Sequence, residues 1–197
     1  MAKYGINTER AAGVSMRVVR GVAMQVHRDH ALAQELWKTG LHEARILATI
    51  VADPARTSEP LLEDWAMDLN SWDLTDQLCQ NLAWRTHHAW TKAEEWVDRP
   101  EIFVRRAAFV LQAMLARKAH DAEPAQFLSF LPLLRRAASD QQRIVRKAVA
   151  WAIKNIGQRS DELRGPALAL ADELAASADK HAVSVGKEAK RKILKGA

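Results

Sequence analysis

A chain of 197 residues, 48% of them apolar, has enough nonpolar surface for one domain-sized core. Glycine (8) and proline (6) are sparse and the strand formers do not alternate, so the expected class is all-α. The single Cys79 excludes an intramolecular disulfide framework, and with neither a secretory signal pattern nor a membrane-length apolar run the expectation is a cytosolic protein carrying a net charge of +5.

In chain order, apolar residues recurring with helical period predict a lead helix at about 8–27 followed by five helix pairs. The first members fall at about 30–39, 58–68, 88–98, 123–138 and 161–177, and the second members at about 41–52, 71–84, 101–118, 141–157 and 180–195. The breaks carry their own chemistry: Gly40, the stretch "DPARTSEP", Arg99-Pro100, Glu123-Pro124, and Gly157 with Ser160 as the next cap. Helix-turn-helix units of about 30 to 41 residues are the signature of a HEAT-like repeat, so a right-handed α-solenoid forming a single domain over 1–197 is expected.

The second helices resemble one another. "HEARILATIV", "FVRRAAFVLQAML", "IVRKAVAWAIKNI" and "SVGKEAKRKIL" stack on a shared small residue at Ala44, Ala107, Ala148 and Ala189. Stacked this way, Arg45, Arg105 with Arg106, Arg146 with Lys147, and Lys187 with Lys190 fall near equivalent positions. Several first helices run acidic instead, as in "LLEDWAMD" and "TKAEEWVD", although "FLPLLRR" breaks that rule. At the C-terminal end Lys180, Lys187, Lys190, Arg191, Lys192 and Lys195 face Glu188 alone, and the positive excess sits there. One charged lane is usually just a solvated helix face. Recurrence in four of the five units instead forms a track on the concave face, which suits a phosphate backbone.

Metal and nucleophile chemistry finds little support. His42-Glu43 lacks the second histidine of a zinc helix, His87 and His88 are adjacent and point to different sides of a helix, and Cys79 has no evident partner. There is no G-x-S-x-G and no glycine-rich phosphate loop, so no cofactor is expected. Seven tryptophans against one tyrosine is a distinctive choice. Trp37, Trp65, Trp84, Trp90 and Trp96 suit core faces, whereas Trp72 and Trp151 lie on second helices beside charge. In "NSWDLTD" a cap at Asn70 or Ser71 accounts for Asp73 as a first-turn residue favoured by the helix dipole. Asp76 lies one turn above Trp72 and has no such explanation.

"SWDLTD", "FVRRAAFVLQ" and "IVRKAVAWAIKNIGQRS", in that order on successive second helices, resemble the bacterial DNA alkylation repair family of HEAT-like DNA glycosylases, the AlkD-type enzymes. The similarity runs from "YGINTER" to the C-terminus. The resemblance implies that Asp76 is the catalytic carboxylate, that Trp72 and Trp151 contact the sugar, and that Arg106 contacts a phosphate. Two departures accompany it. Family members often have a further helical stretch ahead of the position of Tyr4, and often a doubled tryptophan where this sequence has Ser71-Trp72.

The chemistry fits those residue types. Alkylation at N3 or N7 makes a purine cationic and a good leaving group, so the enzyme must mainly stabilise the sugar as positive charge spreads over C1′ and the ring oxygen. A carboxylate near C1′ does this, and indole faces attract the same charge. The expected function is a monofunctional DNA glycosylase, a monomer acting without metal or cofactor on alkylpurines in double-stranded DNA in the bacterial cytosol. The alternatives are a non-catalytic DNA-binding module for distorted or branched DNA and a protein-binding scaffold.

Overall fold

The computed structural model describes residues 9–196, and among these every regular element is helical. Close contacts divide the chain into two compact units, one ending at Ala89 and the other starting at Trp90. The first contains α1 (Met16–Val26), α2 (His30–Lys38), α3 (His42–Val51), α4 (Glu59–Met67) and α5 (Trp72–Asn81), with 3₁₀ turns at Pro54–Arg56 and Ala83–Arg85.

Helix starts in this unit follow local capping chemistry. Ser15, Asp29 and Ser58 accept from Val18, Leu32 and Leu61 N–H, and each satisfies an amide that the first turn leaves open. Gly40, at φ +68°, turns the chain from α2 into α3 in a conformation that side chains with a Cβ avoid. The core is built around Trp37 and Trp65, which stack with centroids 4.2 Å apart and planes 2° off parallel. Leu62, Leu74 and Leu78 are fully buried nearby in the same unit.

The second unit contains α6 (Ala89–Glu95), a 3₁₀ turn at Trp96–Asp98, α7 (Ile102–Lys118), α8 (Pro124–Leu128), α9 (Phe130–Ala137), α10 (Arg143–Gly157), α11 (Asp161–Ala175) and α12 (Lys180–Lys195). From Arg106 through Ala116 every residue of α7 is buried, which makes it the central helix of the unit. α10 packs against α7 on one side and against α11 and α12 on the other. Gly186 permits the close approach of α12 to α11, since a Cβ there would meet Ala171 O and Ala175 N at 2.5 Å.

The helices expected at 71–84 and 88–98 end early, at Asn81 and Glu95, before 3₁₀ turns, and two other expectations differ more from the structure. The lead helix starts at Met16 rather than near residue 8, a position that itself lies outside the described residues, as does the Tyr4–Thr8 part of the matched stretch. The cause is distant in sequence. The N–H groups of Ala12, Gly13 and Val14 converge on the Glu43 carboxylate at 2.8, 2.8 and 3.1 Å, and Gly13 sits at φ +77°. The helix expected at 123–138 divides at Ser129 into α8 and α9. Pro132 has no N–H to give the Leu128 carbonyl, and its ring would crowd that carbonyl in a continuous helix.

Candidate nucleic-acid interface

In the first unit the candidate residues stand on α5. Ser71 is an extended N-cap, Trp72 opens the helix half-buried, and Asp76 follows one turn later at 9% exposure. The i, i+4 spacing stacks indole and carboxylate along one ridge. Asp73 has a different environment. His42 Nε2–H, at the start of α3, donates to Asp73 Oδ2 at 2.8 Å, tying the first turn of α5 to α3. Burial pushes the Asp73 carboxyl up, but the polar groups beside it, the hydrogen-bonded His42 imidazole foremost, outweigh it and hold Asp73 below the usual carboxylate range. The same hydrogen bond raises His42 above the ordinary imidazole value, against the opposing effect of burial. Asp73 therefore does more than complement a helix dipole. It is a packing anchor for the helix that carries Trp72 and Asp76.

Arg45, expected on the phosphate track, is built into the first unit. It donates to the Trp37 carbonyl at 3.3 Å, to the Asp68 carbonyl at 3.1 Å and to Asp68 Oδ2 at 3.0 Å, and its guanidinium lies 5.1 Å from the Trp37 ring centroid. Trp37 Nε1–H donates to the same carboxylate oxygen at 2.9 Å. Trp37, Trp65 and Trp96 are buried as expected, whereas Trp84 and Trp90 are half-buried.

In the second unit the paired arginines of α7 are both turned to the protein. Arg105 Nε–H donates to Asp140 Oδ2 at 2.7 Å, and its other donors reach the Arg99 and Pro100 carbonyls. Arg106, 6% exposed, donates to the Ile144 carbonyl in the first turn of α10. Arg146 serves the Asp140 and Gln141 carbonyls. Lys147 is the freer cation on α10. Its side chain is 51% exposed and its ammonium lies 3.4 Å from Glu188. Trp151 follows it by one turn, half-buried. On α12 Lys187 is exposed, and Lys190 pairs with Asp172 at 2.6 Å. Arg143 was missed by sequence reasoning. It stands four residues before Lys147, is exposed, and lines a cavity of about 160 Å³ with Arg146, Lys147 and Glu188. Its spacing to Lys147 and Trp151 was the available signal.

The family model for the DNA alkylation repair enzyme matches residues 1–191. The chain belongs to the DNA alkylation repair enzyme family. Among solved structures, one protein described as belonging to a new family related to the HEAT-like repeat DNA glycosylases, with affinity for branched DNA structures, superposes with a TM-score of 0.76 at 20% identity. That match covers 96% of this chain and 85% of the other, so this member of the alkylation repair family has the HEAT-like repeat fold. A designed armadillo repeat protein in complex with a peptide gives a TM-score of 0.39 at 14% identity, covering 91% of this chain and 80% of its own. No curated protein matches significantly. Among the described residues no helix is long and apolar enough to cross a membrane, and no group of three or more His, Cys, Asp and Glu side chains is disposed to hold a metal ion.

Proposed function

We propose that this member of the alkylation repair family is a monofunctional DNA glycosylase that hydrolyses the N-glycosidic bond of cationic N3- or N7-alkylpurines in duplex DNA. The observation that carries this reading is the Trp72–Asp76 ridge on α5, with the carboxylate largely buried beside an indole at the start of a helix anchored through Asp73 and His42. A pure DNA binder gains nothing from a carboxylate facing phosphate, which it repels. Next to a sugar that becomes cationic as its bond to the base breaks, the same negative charge stabilises the transition state.

In the proposed reaction the alkylated base departs with the bonding electrons and neutralises its own positive charge. Asp76 offsets the charge developing at C1′ and accepts a hydrogen bond from the attacking water, which adds at C1′ and gives up a proton to bulk water. Trp72 holds the deoxyribose by apolar contact and contributes cation–π attraction of about 0.5–2 kcal/mol, and Trp151 on α10 offers an indole face of the same kind. Lys147 contacts a backbone phosphate and fixes register, and Arg106 holds α7 to the first turn of α10 beside it. The reaction as written uses only water as co-reactant, and no lysine is assigned a Schiff-base role. The protein acts as a monomer.

Incubation with duplex DNA containing 7-methylguanine, followed by detection of free base, tests the proposal. Release of 7-methylguanine at a rate above spontaneous depurination supports it, and the spontaneous rate alone overturns it. A second reading, a non-catalytic binder of branched DNA, is favoured by the described affinity of the 20%-identical structural relative. It predicts tighter binding to a four-way junction than to linear duplex, with no base release.

A further inference from the structure

The second unit holds a cavity of about 550 Å³ that the proposed chemistry does not use. Arg117, His120, Lys154, Asn155, Gln158 and Arg159 line it, and the lining contains no acidic side chain. Glu123 and Asp161 adjoin the lining in sequence without being part of it. Among the described residues neither Arg117 nor Lys154 has an acidic partner within ion-pair distance. The polar neighbour of the Lys154 ammonium is Asn155 Oδ1, at a long 3.4 Å.

Cations in the last turn of a helix ordinarily complement its dipole, and Arg117 and Lys154 stand at the C-terminal ends of α7 and α10. At the end of α7 that role is already filled. Arg159 donates to the Ala116 carbonyl at 3.1 Å and to the Ala119, His120 and Ala122 carbonyls at 2.6, 3.2 and 2.9 Å, with its guanidinium 4.3 Å from the Phe127 ring centroid. The positive charge of Arg117 therefore exceeds what the end of α7 employs, and Lys154 has only an amide oxygen at 3.4 Å opposite its ammonium. Burial first, and the charges of Arg117 and Lys192 after it, push the Lys154 ammonium below its ordinary value. Lys192 spends its own charge on Glu188 at 2.7 Å.

Position adds the second half of the case. Lys147, Trp151 and Lys154 follow one another at i, i+4 and i+7 and share a face of α10, with about 10 Å of helix rise between the two lysines. Arg106 and Arg117 are three turns apart on α7 and also share a face. Positive charge thus stands on both sides of Trp151 along α10, with Lys147 before it and Lys154 after it.

We propose that the cavity between the ends of α7 and α10 seats a DNA backbone phosphate through Arg117 and Lys154, on the side of Trp151 opposite Lys147. This rests on the reading of the chain as a protein that acts on DNA. It adds a contact that fixes the helix pair on the backbone from two sides, and it is independent of the excision chemistry. A charge-assisted contact by a guanidinium and an ammonium matches a phosphodiester, and Gln158 and Asn155 offer further polar groups.

The test is the salt dependence of affinity for an undamaged linear duplex, measured by fluorescence anisotropy for the wild type and for Arg117→Gln/Lys154→Gln. The double variant should lose about 0.9 from the slope of log affinity against log salt, the value of one phosphate contact. Circular dichroism melting checks that it is folded. If the double variant melts early, Lys154→Met, which keeps the aliphatic stem, provides the same readout. A folded variant with an unchanged slope overturns the proposal. So does an unchanged slope accompanied by wild-type-only stabilisation in inorganic phosphate, which would mark a free-anion site. A reduced slope in a protein that releases no base keeps this contact and removes the glycosylase reading; release of base with an unchanged slope does the reverse.

Discussion

Removing the Asp73 carboxylate tests whether the first turn of α5 is held to α3 by the His42–Asp73 hydrogen bond. The side chains of His42 and Asp73 are only 4% and 17% exposed, so water cannot replace the lost partner freely. Asp73→Ala should cost about 1.5–3 kcal/mol, the range for a hydrogen bond to a charged group. With a urea dependence of about 2 kcal/mol per molar, that shifts the midpoint down by about 1 M. The pH dependence carries the more specific signature. His42 is raised in the folded state, so its contribution is fully present below the unfolded value of 6.5 and is lost as pH rises through the higher folded value. Asp73 is lowered, so its contribution is present above 3.8 and is lost as pH falls through the lower folded value. The pair is therefore worth most between about pH 4 and 6.5. Asp73→Asn keeps a hydrogen-bonding group but not the charge, and it should flatten the decline in stability between pH 6 and 8. Urea titrations followed by circular dichroism at pH 5.5, 7 and 8.5 give the answer. Equal midpoints for wild type and Asp73→Ala at pH 5.5, or an unchanged pH profile in Asp73→Asn, would show that α5 is held by packing alone.

Asp76→Asn should lower 7-methylguanine release by about 10²-fold or more, on the scale of a lost preorganised electrostatic contact. Duplex affinity should hold or rise, and an excision rate equal to wild type would move the catalytic role to another carboxylate. Arg45→Met should lower stability by about 1–2 kcal/mol, because Asp68 and the Trp37 and Asp68 carbonyls each lose a charged donor, while leaving the salt slope of duplex binding intact. A slope reduced by about 0.9 would return Arg45 to the phosphate track. Gly186→Ala should destabilise by about 1–3 kcal/mol, since the new methyl meets the α11 backbone, which cannot move as a flexible side chain can. A thermal midpoint equal to wild type would mean that α12 shifts at little cost.

What could be read from the sequence was the local part. Helix starts and stops were legible at Gly40, Pro124 and Ser160 because a cap or a positive-φ turn acts over three or four residues. The buried Trp37, Trp65 and Trp96 followed from helical periodicity, and the Trp72–Asp76 ridge from i, i+4 geometry. The break at Ser129 had a local cause in Pro132 but was masked by the apolar pattern running through it. The destinations of the charged side chains were decided only by tertiary packing. Arg45 and Arg105 read as members of a phosphate track, yet Asp68, 23 residues from the first, and Asp140, 35 residues from the second, take up their donors. Asp73 read as a dipole residue until His42, 31 residues earlier, was brought against it, and Glu43 holds the amides that delay α1 from a similar distance. A charge is a property of one residue, but whether it is spent inside the protein or left to meet a ligand depends on which distant group the packed helices bring within 3 Å. That is why Arg117 and Lys154 stand out as available cations only in the folded chain.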